Sequence, residues 1–408
     1  MTPGYYQSPW PGEDGGPTRR ADAGSHAPVL GPALHATTRR SLMSTMTVLG
    51  APGDVFLLTH DALRSTVGAA TCARVERIDP ITLAPLARSP RLAGGPMWPG
   101  GLAVHGNGDL YTVYGRWAHR LDRDCRVKAA QQLPINQPHN SFIILPDGMI
   151  VTKNLSDKRP ARLTVLHPET LAIVAELPCP EPSIARLSAD GMQVYVVGTR
   201  SIMRCHWDGG TLAWDDWAHD YVGDTQQSYG WDVVIALGHA WFMDNGRHRY
   251  RTSMIGRGVA ATANRLIRVS LTDPRDASAT TISGRAGGSI TNPPIIDGDR
   301  RIAVAFDSAN RFMRAWRIEN DGTLKPLWER PDIGCASHMI LLPQAGRLVT
   351  NDYDGTEQVV VLDITTGAAV LRARVGGITQ GVVFPSLGWN DDIYWCSMRR
   401  VARLFSAG

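Results

Sequence analysis

The chain has 408 residues, with 42 basic and 38 acidic side chains intermixed and a net charge of +4. Hydrophobic residues make up 43% and charged residues 20%, the balance of a soluble globular protein. No block of Lys and Arg marks a nucleic-acid binder, and no apolar run reaches the roughly 20 residues that span a bilayer.

Residues 1–40 are rich in Gly, Pro, Ser, Ala and Thr and lack aliphatic periodicity. Such a segment cannot bury enough apolar surface to order itself, so a disordered N-terminal leader is expected there. Arg39-Arg40 stand before a short apolar stretch, but Ser and Thr interrupt it and no small-residue cleavage site follows. A cytoplasmic location is therefore expected, with export as the alternative. Six cysteines at 72, 125, 179, 205, 335 and 396 form no CxxC pair, which fits buried reduced thiols better than a disulfide framework or a zinc site.

From residue 41 onward one unit recurs. An apolar strand runs into a Gly- or Asp-containing turn, and a second apolar strand ends in a small polar residue. Ser141-Phe-Ile-Ile-Leu-Pro-Asp-Gly-Met-Ile-Val-Thr-Lys-Asn154 and His338-Met-Ile-Leu-Leu-Pro-Gln-Ala-Gly-Arg-Leu-Val-Thr-Asn351 share length, turn position and final Asn. Weaker copies start near Thr45, Gly100, Ser183, Trp231, Pro293 and Gln380. An outer hairpin follows in each unit, as in Val75–Leu83, Leu163–Leu171 and Val360–Gly367, where Asp or His, Pro, Thr and Gly make the turn. Four short strands repeating every forty-odd residues predict an all-β fold, a single β-propeller of four-stranded antiparallel blades over residues 41–408. Eight blades are favoured and seven are the alternative. The last unit shows only three strands, so the chain start, around Ala27–Leu34, is the candidate for the missing one. The long interval after Trp231 holds a basic, Gly-containing insertion, Arg247–Asn264, a candidate substrate-gripping loop.

In a propeller the starts of inner strands and the ends of second strands meet at one mouth of the channel. His139, Ser141, Asp232 and His338 occupy the first position, and Asn154, Asp244, Asn245, Asp307, Asn351 and Asp352 the second. Oxygen and nitrogen donors gathered this way suit a hard divalent cation or a polar substrate. Asn and Asp at a strand end also serve as turn formers, and every blade needs the same turn.

The outer hairpin, with Asp363-x-x-Thr-Gly367, resembles the repeat of PQQ-type bacterial propellers. The inner pair, with its Leu-Pro-x-Gly turn, resembles the gluconolactonase/strictosidine-synthase group and the arylsulfotransferase propellers. The lactonase resemblance implies metal-assisted hydrolysis of a lactone or ester, with a divalent cation such as Ca²⁺ at Asn154, Asn245, Asp307 and Asp232. His139, His338 or Asp232 would then carry the proton, and Trp231, Asp244, Asn351 and Asp352 would line the small-molecule substrate. The arylsulfotransferase resemblance implies instead group transfer through His139 or His338. PQQ itself is not expected, since the stacked cysteine pair of those dehydrogenases is missing. A non-catalytic scaffold with a protein partner is the third alternative.

Overall fold

The computed structural model describes residues 4–41, 43–61, 68–223, 226–247, 260–290, 292–353, 356–376 and 384–406. Eight antiparallel sheets follow one another along the chain. Blade 1 comprises Ser44–Leu49, Val55–His60, Cys72–Ile78 and Pro85–Arg88, with Leu92–Ala93 added beside the third strand. The inner strands of blades 2 to 7 are Gly101–Val104, His139–Ile144, Ser188–Asp190, Val234–Ala236, Ile295–Asp297 and Ile340–Leu342. Blade 8 takes Ser386–Leu387, Asp392–Ser397 and Arg400–Ser406 from the chain end and Leu34–Arg40 from its start. The expected eight-bladed propeller is therefore the fold.

Burial explains why the sequence pattern reads as it does. Inner and second strands, such as His139–Ile144 and Ile150–Asn154, are buried along their whole length, with apolar residues beside the turn that joins them and polar ones at the other end. Fourth strands alternate: Ile173–Pro178 is half-buried and exposed by turns. The outer hairpins turn on side-chain caps, with Asp363 Oδ1 accepting from the amides of Thr365 and Thr366 at 3.0 Å each. All six cysteines are free, five of them buried. No helix among the described residues is long and apolar enough to cross a membrane.

Ring closure differs from expectation in register. The closing strand is Leu34–Arg40, paired from Leu34 with Ser406 to Arg40 with Arg400, and not Ala27–Leu34. An outermost strand needs only one inward face, and Leu34 and Ala36 supply it.

The larger departure concerns the leader. Residues 4–26 thread the channel, where Trp10 and Arg19 are each 1% exposed. Trp10 and Pro11 carbonyls accept the Leu49 and Val104 amides, each at 2.8 Å. Pro17 and Thr18 carbonyls accept Ala189 and Ile235 amides at 2.8 and 2.9 Å, and Ala21 accepts Leu341 at 2.8 Å. These amides lie on inner strands whose channel edge has no neighbouring strand. An unpaired edge calls for a partner, and the N-terminal segment provides one. Gly and Pro suit such a path because it is neither helix nor strand.

Candidate functional site

The segment's carbonyls meet the last residues of two inner strands, Leu49 and Val104, and the middle residues of three others, Ala189, Ile235 and Leu341, so it runs along the channel wall. Its side chains reach toward the mouth. His338, just ahead of its inner strand, donates from Nδ1 to Asp14 Oδ1 at 2.7 Å, and its ring stacks on Phe384 at 3.9 Å. Arg19 binds Glu13 Oε2 at 2.7 Å and Asp14 Oδ2 at 2.9 Å. Ser141 Oγ donates to Glu13 Oε2 at 3.0 Å. Arg186 comes from the opposite wall: its Nη1 pairs with Asp232 Oδ2 at 3.2 Å, its Nε lies 3.7 Å from Glu13 Oε2, and its guanidinium sits 4.7 Å from the Phe384 ring centroid. Asp232 Oδ1 also accepts the Arg186 amide at 2.7 Å. Three expected mouth residues, Ser141, Asp232 and His338, thus converge on the axis, joined through Glu13, Asp14, Arg19 and Arg186.

This cluster is buried, and burial in low dielectric disfavours charge. Burial raises the Glu13 carboxyl above its ordinary range despite Arg19 and Arg186. For Asp14 burial pushes upward too, but His338 and Arg19 outweigh it and the carboxyl lies below its ordinary range. Lys153 stands nearby with its Nζ on the carbonyls of Ser183 and Asn154 at 3.1 and 3.3 Å, and burial pulls it down to about 8.

The remaining expected residues are held by partners in their own blade or the one before it. Asn154 Oδ1 accepts the Arg162 amide at 2.8 Å, and its Nδ2 donates to Gln137. Asn245 Oδ1 accepts the Ser228 amide at 2.9 Å, and its Nδ2 donates to the Thr262 carbonyl at 3.0 Å. Asp307 accepts from Ser289 N at 3.1 Å, Ser283 Oγ at 2.5 Å and Asn310 Nδ2 at 2.7 Å. Asp244 pairs with Arg265 at 2.7 Å, yet burial keeps its carboxyl above the ordinary range. Asn351 bridges the Ala336 amide and Glu357, each at 2.9 Å, and Asp352 takes Arg311 at 2.8 Å. Each of these side chains fastens a loop at the end of a second strand. His139 is fixed by its Nδ1–H on the carbonyls of Gly115 and Gln137, both at 3.1 Å, and burial lowers it to about 4. Among the described residues no three His, Cys, Asp or Glu side chains form a metal-sized group.

A cavity of about 450 Å³ opens on the mouth face, over blades 2 to 5. Pro138, Ile184, Tyr229 and Trp231, just ahead of inner strands, wall it together with Trp98, and Leu155, Ser156, Asp157 and Lys158 close it from the loop after a second strand. Trp98 and Trp231 stack with centroids 6.2 Å apart and planes 27° apart. Arg247 also lines it. Residues 248–259 of the expected gripping loop lie outside the described residues, as does Gln380. The cavity and the axial cluster share a wall: Ile184, Trp231 and Leu155 face one side, and their near neighbours Arg186, Asp232 and Lys153 belong to the other.

Sequence reasoning passed over Arg186, Lys153, Glu357 and the segment's own Glu13, Asp14 and Arg19. Adjacent Trp10 and Tyr5-Tyr6 were the available signal, since large aromatic rings are rare in a leader that stays in water.

No family model and no curated protein matches the sequence. Among solved structures the chain is similar to a quinohemoprotein alcohol dehydrogenase from Comamonas testosteroni, at TM-score 0.65 and 10% identity, covering 98% of this chain and 81% of that one. A europium-containing methanol dehydrogenase matches at TM-score 0.63 and 10% identity, with 95% and 89% covered. BamB from Moraxella catarrhalis matches at TM-score 0.54 and 13% identity, with 91% and 98% covered. At such identities the likeness establishes the propeller fold, in keeping with the expected resemblance to PQQ-type propellers, and nothing finer.

Proposed function

We propose that the protein binds a small, flat, anionic molecule at the mouth of its channel. The cavity beside the axis carries this reading. Its volume, about 450 Å³, falls within the roughly 300–1,000 Å³ of small-molecule pockets. Trp98, backed by the buried Trp231, and Tyr229 are part-exposed rings against which a conjugated ring can lie, and Lys158 and Arg247, with one carboxylate, Asp157, among them, offer net positive charge to an anion. The test is tryptophan fluorescence titrated with aromatic carboxylates and with their neutral amides. Saturable quenching by the acids, weakened by Lys158→Ala and by added salt, supports the reading. Equal response to acid and amide, or no saturable response, removes it.

A hydrolytic reading of the same mouth, a lactone or ester opened with the help of a divalent cation, has one favouring feature. His139 follows Pro138 in the cavity wall, and its Nδ1–H is fixed, which leaves the lone pair on Nε2. A cation would polarise the carbonyl under attack. Asn154, Asn245, Asp307 and Asp232 would hold it only by giving up the hydrogen bonds described above. Thermal unfolding in EDTA, then with Ca²⁺ restored, decides this. A saturable rise lost in Asp307→Ala supports the cation, and an unchanged melting curve removes it.

A further inference from the structure

Residues 4–26 meet the propeller as a bound peptide would. Apart from two three-residue turns, Glu13–Gly15 and Gly24–His26, they have no regular structure of their own. Asp14, Arg19 and Ala21 hold left-handed backbone with φ of 50°, 53° and 49°, a conformation that ordinary residues keep only when their surroundings impose it. Main-chain bonds reach the inner strands of blades 1, 2, 4, 5 and 7, and the side chain of Trp10 is buried among them. The only continuation into the ring is residues 27–33, where Val29 is 78% exposed.

The recognition chemistry is specific. Two adjacent carboxylates, Glu13 and Asp14, are met by groups from three separate parts of the wall: Ser141 Oγ at 3.0 Å, His338 Nδ1 at 2.7 Å and Arg186 Nε at 3.7 Å. Arg19 of the segment completes the set by donating to Ser141 Oγ at 2.9 Å and to the Leu187 carbonyl at 2.8 Å. Arg186 Nε and Nη2 and Glu13 Oε1 form no hydrogen bond among the described residues even with the segment in place, so the Arg186–Glu13 contact is one of charge. Buried charges are costly without a partner. Removing the segment would take Asp14 from the buried His338 and Glu13 from the buried Arg186, so the wall favours a carboxylate-bearing occupant.

We propose that the channel is a binding site for a peptide with adjacent carboxylates, and that residues 4–26 fill it as an exchangeable ligand tethered to its own receptor. A short tether, here partly packed through Ala27 and Leu30, gives an effective concentration on the order of millimolar or above, so the cis occupant prevails until the tether is cut or a competitor is abundant. This holds whatever binds in the cavity beside the axis, because no residue of the segment lines that cavity.

The experiment uses the full chain with a protease site inserted between Pro28 and Val29. The folded protein is cut, and a fluorescent peptide of residues 4–26 is added. The result expected is exchange, seen as rising anisotropy and release of the native fragment on gel filtration, with the β-sheet circular dichroism unchanged. A peptide carrying Glu13→Gln and Asp14→Asn should compete at least about tenfold less well, since it lacks the buried charge pairs. Three results overturn the proposal: a fragment that never exchanges while the ring stays folded, a fragment released only as the ring unfolds, and a neutral peptide that competes as well as the acidic one.

Discussion

His338 and Asp14 are 324 positions apart and meet at 2.7 Å on the channel axis. The contact joins the start of the chain to its seventh blade. It also turns a histidine with the sequence context of a catalytic group into the partner of a buried carboxylate.

Asp14→Asn keeps the size of the side chain and removes its charge. Arg19 and His338 then face a neutral amide, and breaking a buried pair from one side costs about 3–5 kcal/mol. Urea unfolding at pH 7 measures the loss. The carboxyl lies below its ordinary 3.8, so its contribution is present above that pH and fades as the pH falls further. The variant is expected to lose that part of the acid-side decline.

Glu357 is a buried carboxyl that burial pushes up to about 8, against hydrogen bonds from Asn351 and Trp395. The unfolded chain sheds this proton near 4.5 and the folded one holds it to about 8, so stability declines with rising pH across that window. Glu357→Gln keeps an acceptor for both donors. It is expected to flatten the decline and to gain about 1 kcal/mol or more at pH 8. Denaturant midpoints from pH 5 to pH 9 test it, and parallel curves for the two proteins would count against it.

Lys153 has the opposite sign. The unfolded amine keeps its proton to 10.5 and the folded one loses it near 8, so stability rises with pH between those values. Lys153→Met should abolish that rise and stay within about 1 kcal/mol of the parent at pH 7, where a buried charge has been removed. Thermal melts between pH 7 and pH 10 give the comparison.

Thr38 and Ala402 are direct partners in the strand pair that closes the ring. Cysteines at both positions should form a disulfide spanning nearly the whole chain, with a gain of about 2–4 kcal/mol in the oxidised protein over the reduced one. Melting with and without reductant reads the difference. No difference would mean that ring opening is not part of unfolding.

Eight blades were legible because the inner pairs carry apolar runs joined by a turn with Gly or Asp, and a buried strand pair demands both. The strand ends were legible as positions but not as functions. Asn154, Asn245 and Asp307 fasten loops, and a sequence writes a loop fastener and a ligand with the same letters. Lys153 and Glu357 were invisible for the reverse reason. Their unusual state comes from burial by other blades, which their neighbours in the chain do not encode. The leader misled because its Gly and Pro content describes a chain without structure of its own, and that remains true of it. Its order is borrowed from the channel, and only Trp10, Tyr5 and Tyr6 hint at the loan.

Leu34–Arg40 leaves the ribosome before any of the seven blades that follow it, and its partner Arg400–Ser406 leaves after all of them. Until that partner emerges the first strand has two open edges and nothing to pair with. Seven blades can collapse on local contacts, each strand finding the next, while the eighth waits for Arg400–Ser406. The circle is therefore completed in a single late step, and a nascent chain stalled anywhere short of Arg400 is an open ring with an exposed strand at its leading end. Arg39 and Arg40, placed on that strand, are charges of the kind that keep such an edge from pairing with a stranger.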